Sequence, residues 1–458
     1  MKSKINSQRI FFAACLAAGS TMTHATEVFR LEGYGPVSRA MGGTAVAMNV
    51  GAAGMMTNPA TLSLMNPGSE FHLGLDLITT DLSVKNQTTG ESVSSANHGN
   101  NRGPYIAPEL AFTKQTGSLS WGVGAFAQGG LGTEYGNNSF LSRAAGELNT
   151  GLENSSRLLV LNIPFATSYQ VNDKLAVGAS IDAMWQGLNL DLLLGASQVG
   201  ALIGAGRVSG SLLPVLGGLP DLRGAHFSLT KNEPLASGVE SWGLGGRIGM
   251  TYKATNDTVL GFDYTLKSRM DDLEGRATLT AVDGIAGQIP LLGNIKLRNF
   301  QMPAKLDFGV SHHLNTQWML AVDVSQVFWE QAMKDIDVGF VTDSGQNLNI
   351  QLPQNYKDQT IVAMGVAYQS GPWTLRGGAR LASQALRSET LFAVIPATPT
   401  KHVSAGFSYA FSKESSLDMA YSHAFEESMG NASAPNTAVP IMTTHSQNNL
   451  TIGYTQRF

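Results

Sequence analysis

The sequence predicts an all-β protein: a transmembrane antiparallel β-barrel of about 14 strands whose N-terminal segment is a hatch, a plug folded inside the barrel. Three observations carry this. From residue 70 onward the chain breaks into segments of roughly 10 residues in which apolar and polar side chains alternate. Short turns and long irregular connections follow one another in strict alternation. Charged residues are only 14% of the 458, against roughly 25% in soluble domains, while 43% are apolar and mean hydropathy is −0.02. Outward apolar residues alternating with inward polar ones produce that average. The competing reading is a large secreted β-protein. No stretch reaches the ~20 apolar residues of a membrane helix. With 34 acidic and 30 basic residues the net charge is −4, a balance that argues against a nucleic-acid partner.

The chain opens with a basic stretch (Lys2, Lys4, Arg9), an apolar run over 10–18 and the small-residue site Thr23-His24-Ala25. This is the pattern of a secretory signal peptide over 1–25, cleaved after Ala25. Cys15, the only cysteine, leaves with it. Lipoprotein processing at Cys15 is disfavoured, because the apolar run ahead of it covers only 10–14. A mature chain without cysteine has no disulfide framework and no thiolate metal site.

Residues 26–68 form the expected hatch. Its centre, GYGPVSRAMGGTAVAMNVGAAGMMTNPATLSLM from Gly33 to Met65, is rich in glycine and alanine and nearly uncharged. It holds no sustained helical or strand period. Such a segment builds no core of its own, although glycine lets its backbone pack closely. Pro59 in Asn58-Pro59-Ala60 fixes a bend and biases Asn58 towards an extended conformation. The alternative is a Gly/Ala-rich linker; the strands that follow favour the plug.

The barrel is expected over 69–458. Strand candidates are 70–84, 107–114, 119–128, 157–170, 175–190, 242–253, 258–274, 296–314, 318–338, 356–369, 373–385, 403–411, 416–424 and 448–458. In the first, Phe71, Leu73, Leu75 and Leu77 share one face and His72, Gly74 and Asp76 the other. Tight-turn compositions such as VNDK (171–174) and SKES (412–415) join strands at one end. Long connections, among them 191–239, 275–295, 339–355 and 425–447, join them at the other. Turns facing the periplasm and loops facing outward are how outer-membrane barrels are built. The last strand ends in Leu450, Ile452, Tyr454 and Phe458, an apolar row with an aromatic terminus. It looks like the signal read by the bacterial barrel-assembly machinery, which is therefore an expected partner beside outer-membrane lipids and lipopolysaccharide.

No catalytic constellation is present: there is no Gly-x-Ser-x-Gly elbow and no phosphate-binding loop. His312-His313 beside a turn point to opposite faces of a strand and read as surface, not as a ligand pair. Glu426 and Glu427 read as a solvated loop. No enzyme activity, cofactor or metal is expected. The informative connection is 192–220, LLLGASQVGALIGAGRVSGSLLPVLGGLP, whose only charge is Arg207. It is apolar with partial helical spacing, and apolar surface in an outer loop marks a binding surface. Leu202, Ile203, Leu212 and Leu213 are its candidate ligand contacts. A second apolar loop, 285–292 with Ile289 and Leu291, faces it in this reading. Together they make a groove for a hydrophobic ligand; the plainer reading is that the loops only pack on each other.

Along the mature chain the residues resemble the FadL-type long-chain fatty acid and hydrocarbon transporters of the Gram-negative outer membrane. The resemblance rests on Asn58-Pro59-Ala60, on Trp121-Gly122 followed by Gly130-Leu131-Gly132-Thr133-Glu134-Tyr135, and on Trp242-Gly243 with Tyr252. It continues through Tyr356-Lys357-Asp358 and Tyr409-Ala410-Phe411 with Lys413. It implies a monomeric, fourteen-stranded barrel plugged by its hatch. It also implies passive uptake of a hydrophobic ligand, most of all a long-chain fatty acid, with exit sideways at an inward kink of the third strand. Here Gln128-Gly129-Gly130 stands at the matching place, and paired glycines weaken strand pairing. Val28 and Phe29, near the start of the mature chain, match the ligand-contacting segment. One departure matters. The fatty-acid members hold the carboxylate with basic side chains on the fifth and tenth strands, yet 175–190 contains no Lys or Arg. Burying a carboxylate without a cation costs several kcal/mol. Either Lys357, Arg207 or neutral donors bind it, or the substrate is a neutral or aromatic hydrocarbon. A structural or adhesive barrel is the alternative from another class.

Overall fold

The computed structural model describes residues 27–95, 105–229, 238–432 and 434–458; the expected signal peptide and its cleavage point lie outside them. Fourteen strands, traced through their pairings among the described residues, close into one antiparallel ring. They are β1 (Gly68–Asn86), β2 (Tyr105–Thr116), β3 (Leu119–Glu134), β4 (Ser155–Gln170), β5 (Leu175–Gly195), β6 (Val239–Lys253) and β7 (Thr258–Thr265). The second half holds β8 (Lys305–His313), β9 (Trp318–Val327), β10 (Gln359–Ser370), β11 (Trp373–Ala382), β12 (Lys401–Ala410), β13 (Ser415–Asn431) and β14 (Ile441–Arg457). β14 pairs with β1 from Glu70↔Arg457 to Asn86↔Ile441, which closes the ring. Closure leaves no strand edge, the condition for crossing hydrocarbon with strands.

Alternation sets the two faces. On β1, Phe71, Leu73 and Leu75 are exposed, whereas His72 and Asp76 are buried. The outward row continues around the ring through Phe165, Ile181, Trp242 and Phe308, all more than half exposed. In water this belt would drive aggregation; against acyl chains it is the favourable arrangement. Near the short turns, Trp318 packs on Tyr368 and Trp373 on Tyr409, each with ring centroids 4.6 Å apart, an aromatic girdle at the membrane boundary. No described helix is long and apolar enough to cross a membrane.

Residues 27–67 lie inside the ring, mostly as turns, the helix α1 (Gly35–Ala40) and two 3-10 turns. They bond to strands all round it. The Asp76 carboxylate of β1 accepts from Arg39 at 2.7 Å, and Glu109 of β2 from Gly35 N at 2.9 Å. On the far side, Asp323 of β9 accepts from Ala45 N and Val46 N at 2.7 and 3.0 Å. Ser404 of β12 accepts from Gly42 N at 3.0 Å. Only a segment within the lumen reaches all of these. Asn58 caps the second 3-10 turn, its Oδ1 accepting from Ala60 N at 3.0 Å, and its Nδ2 donates to Val46 O and Met250 O. Pro59 sits at the first position of that turn, where its missing N–H costs nothing.

Above the ring, at the long-loop end, the structure corrects three expectations. Residues 275–295 are not an irregular loop: Leu273–Asp283 and Gly287–Arg298 form a hairpin in full register. Likewise 339–355 belongs to paired strands Asp335–Thr342 and Asn347–Pro353. Glu426 and Glu427 lie in β13, not in a solvated loop, and Glu427 accepts from Thr400 Oγ1 at 3.0 Å. The physical reason is a reversal of polarity. Here the outer face meets water, so Arg276, Asn294 and Lys296 point out while Leu279, Ile295 and Leu297 are buried inside. A pattern tuned to apolar-outward strands does not register these. The cap is completed by strand Leu222–Ser228 and the helices α2 (Ala196–Gly204) and α3 (Leu212–Gly217).

Candidate functional site

The ring has one weak seam among its described pairings. β2 pairs with β3 from Thr116↔Leu119 to Glu109↔Phe126 and no further, although β3 continues to Glu134. On the other side, the β3–β4 register shifts between Ala127 and Gly129. The bulge thus falls at Gln128. The N-terminal segment takes the place β2 vacates. Gly130 N donates to Phe29 O at 2.7 Å and Leu31 N to Gln128 O at 3.1 Å, with an isolated antiparallel bridge between Arg30 and Gly129. Tyr34 Oη donates to the same Gln128 carbonyl at 3.0 Å. A Cβ on Gly129 would stand 1.9 Å from Phe29 O, and one on Gly132 would overlap the Tyr105 ring. Only glycine admits these approaches.

Phe29 is 1% exposed and sits among Phe300, Trp329 and Tyr356, with ring centroids at 6.1, 5.7 and 6.1 Å. Beside it Val28 holds a left-handed backbone, φ +55°, a strained state for a β-branched residue. Glu27 holds the start of the segment down. It is ion-paired to Arg380 of β11 and, at 3.1 Å, to Lys305 of β8. Burial pushes the Glu27 carboxyl up, but the charges of Lys305, Arg380 and Arg30 outweigh it and hold it at about 2.

Three cavities run from the cap to the seam. The outermost, about 20 Å³, is walled by Leu194, Phe227, Leu229 and Ile350. It shares Leu190, Leu192, Leu297, Val338 and Leu352 with the next, of about 50 Å³, which ends on Phe29. That one shares Leu131, Leu158 and Ile395 with a third, of about 110 Å³. The third lies against Val28, Gly129, Gly130 and the outward-facing Ile106 of β2. Apart from Ser156, every residue lining the first two is apolar. Their vacancies are small, about 20 and 50 Å³.

The expected site residues divide. Val28, Phe29 and Gly129-Gly130 meet at the inner cavities, and Gln128 binds the N-terminal segment beside them. Leu202 and Leu212, 1% and 0% exposed, are packed into the core of the cap; Leu213, Ile289 and Leu291 lie partly buried against it, and Ile203 points outward. None of these six lines the three cavities. Lys357 is a correction. It is exposed, and the inward position belongs to its neighbour Tyr356, because successive residues of extended chain face opposite ways. Arg207 is ion-paired to Asp335 at 2.8 Å and lines none of the cavities either. Sequence reading missed the leucines that wall the two outer cavities. The available signal was the i, i+2 run Leu188, Leu190, Leu192, Leu194 at the end of β5, where an inward face turns apolar.

The family model for outer membrane protein transport proteins (OMPP1/FadL/TodX) matches residues 14–458. The crystal structure of the Ralstonia pickettii toluene transporter TbuX is 46% identical with a TM-score of 0.80, covering 93% of this chain and 99% of that one. The Pseudomonas putida toluene transporter TodX is 40% identical with a TM-score of 0.83, over 94% and 100%. A long-chain fatty acid transport protein of Escherichia coli O6:H1 is 23% identical over 393 residues, 81% of this chain and 80% of that protein. The similar proteins are thus named for transport, not for catalysis. With a full-length family match behind its closed ring, this chain belongs to the outer membrane protein transport protein (OMPP1/FadL/TodX) family of the Gram-negative outer membrane.

Proposed function

We propose that the chain passively admits small neutral hydrocarbons, monoaromatic ones foremost, through the outer membrane. The observation that carries this is the run of three wall-sharing cavities, apolar from the cap to Phe29 and ending at the β2–β3 seam. Lipopolysaccharide is a polar barrier to apolar solutes, and an open aqueous pore would not help them. A narrow apolar path does, because the solute remains out of water throughout. In this reading residues 26–68 act as the hatch and the cap collects the ligand. Phe29 divides the path, and the seam at Gln128-Gly129-Gly130 lets the ligand leave sideways into lipid. The concentration gradient drives the passage.

The family resemblance read from the sequence favours a long-chain fatty acid. A carboxylate would need a cation along the apolar stretch. Neither cation named from the sequence stands there: Lys357 is exposed and Arg207 is paired with Asp335, while Arg30 lies beyond Phe29, in the third cavity and beside the Glu27 carboxylate. The resemblance to the toluene transporters TodX and TbuX, at 40% and 46% identity, supports the same class. The deciding measurement is uptake of labelled toluene and labelled oleate by cells with and without the chain. Dependence of toluene uptake alone is expected; dependence of oleate uptake alone would overturn the proposal.

A further inference from the structure

The innermost cavity differs from the other two in having a polar wall with unused hydrogen-bonding capacity. Its apolar lining includes Leu82, Ala127, Leu131 and Ile395, but Arg30, His402 and His445 line it as well. All three are buried, at 6%, 4% and 7% exposure. Arg30 Nε and Nη1 have no hydrogen-bond partner among the described residues; the Glu27 carboxylate stands 3.6 Å from Nε, beyond hydrogen-bond length. His445 Nδ1 is 2.9 Å from Pro396 O. A carbonyl only accepts, so Nδ1 carries the hydrogen, and in the neutral ring Nε2 bears a lone pair. That Nε2 is also unpartnered, as is His402 Nδ1. Leaving buried donors and acceptors unmade costs about 1–3 kcal/mol each, and the residues that carry them line the cavity.

The set combines donors on Arg30 with an acceptor on His445. A hydroxyl group both accepts and donates, so it can use either. A carbonyl uses only the donors. A carboxylate meets the imidazole lone pair, and Glu27 and Glu32 already stand in the lining. We propose that the cavity beside the seam holds a hydroxyl subsite, so that the chain binds neutral hydroxylated hydrocarbons, phenols and alcohols, more tightly than the bare hydrocarbons. This rests on the proposed uptake path for the way in, but its own claim is the preference between two solutes of nearly equal size.

The test compares p-cresol with toluene, as binding to the purified full-length protein in detergent and as uptake by cells carrying it. The wild type is expected to bind p-cresol about tenfold more tightly than toluene, the value of roughly one added hydrogen bond. His445→Leu is expected to lower the ratio several-fold, leaving only what the Arg30 donors contribute. His445→Gln, which keeps an acceptor, is expected to restore part of the preference. A wild-type ratio near one, or a ratio unchanged in His445→Leu, overturns the subsite. Should His445→Leu lose affinity for both solutes, His445→Gln decides: a restored preference supports the subsite, and its absence overturns it. Toluene bound without a p-cresol preference removes the subsite and leaves the uptake reading standing. A p-cresol preference without import of either solute does the reverse.

Discussion

The carbonyl oxygen of Phe29 occupies the space a side chain on Gly129 would need, 1.9 Å from the position of its Cβ. The N-terminal segment therefore closes the seam chiefly by backbone, pairing with β3 where β2 has left it, with Tyr34 Oη adding a bond to Gln128 O. Gly129→Ala should push Phe29 out of this position at a cost of about 1–3 kcal/mol. The ring should stay closed, because Gly129 is paired with Val160 of β4 through the backbone and only one β3–β4 position is disturbed. Hydrogen exchange at Gly130 N, which donates to Phe29 O, reads the effect directly. Exchange as slow as in the wild type would show that the segment accommodates the methyl group.

Arg39 is 1% exposed and holds two carboxylates at once, Glu32 at 2.8 Å and Asp76 of β1 at 2.7 Å. Removing one partner of a buried pair leaves charge uncompensated and costs about 3–5 kcal/mol. Arg39→Met should loosen the lumenal segment by this amount, and adding Asp76→Asn should recover part of it. Urea-induced release of the segment, followed by protease sensitivity of residues 27–67, measures both. Equal sensitivity of the single variant and the wild type would show that the segment is held by its backbone contacts alone.

The apolar walls give a prediction of their own. Leu190 and Leu352 line both outer cavities and belong to the cap or its base, away from the lipid-facing belt. Leu190→Gln or Leu352→Gln places an amide in a dry passage at a cost of about 1–3 kcal/mol. Toluene uptake should fall about tenfold or more, with heat-modifiable electrophoretic mobility showing a folded barrel. Replacing Leu202, Ile203, Leu212 and Leu213 together by serine should act differently: two of these residues are core, so loss of cap stability, read by proteolysis of the loops, should accompany any loss of capture.

Glu27 sets a pH range. Its carboxyl is held at about 2 in the folded protein, below the ordinary carboxylate value of roughly 4.3. A lowered carboxylate pKa contributes its stability in full above the unfolded value and loses it as pH falls towards the folded one. Docking of the segment start should therefore be constant from pH 8 to about pH 5 and weaken progressively from about pH 4 to pH 2. Tryptophan fluorescence is a suitable readout, since Trp329 packs against Phe29. Glu27→Gln should lack the acid transition and dock more weakly at neutral pH. An acid transition of the same midpoint in Glu27→Gln would assign it to another group.

The sequence by itself determined what local periodicity encodes. Two-residue alternation with apolar residues outward specifies lipid-facing strands, and β1 shows it with Phe71, Leu73 and Leu75 on one side and His72 and Asp76 on the other. The order of short turns and long connections sets the strand sequence. The conformational demand of Pro59 acts within a few residues and is legible for that reason, whereas the demand for glycine at 129 comes from the distant Phe29 carbonyl. Tertiary structure alone decided which carboxylates meet Arg39, that Phe29 stands among Phe300, Trp329 and Tyr356, and that Tyr356 rather than Lys357 faces inward. Those contacts join residues far apart in the chain, and no local pattern carries them. The cap is the instructive middle case. Its strands alternate as regularly as the ring's, but water replaces lipid outside them, so the apolar face turns inward. The same period then means the opposite side, and only the closed ring says where the membrane stops.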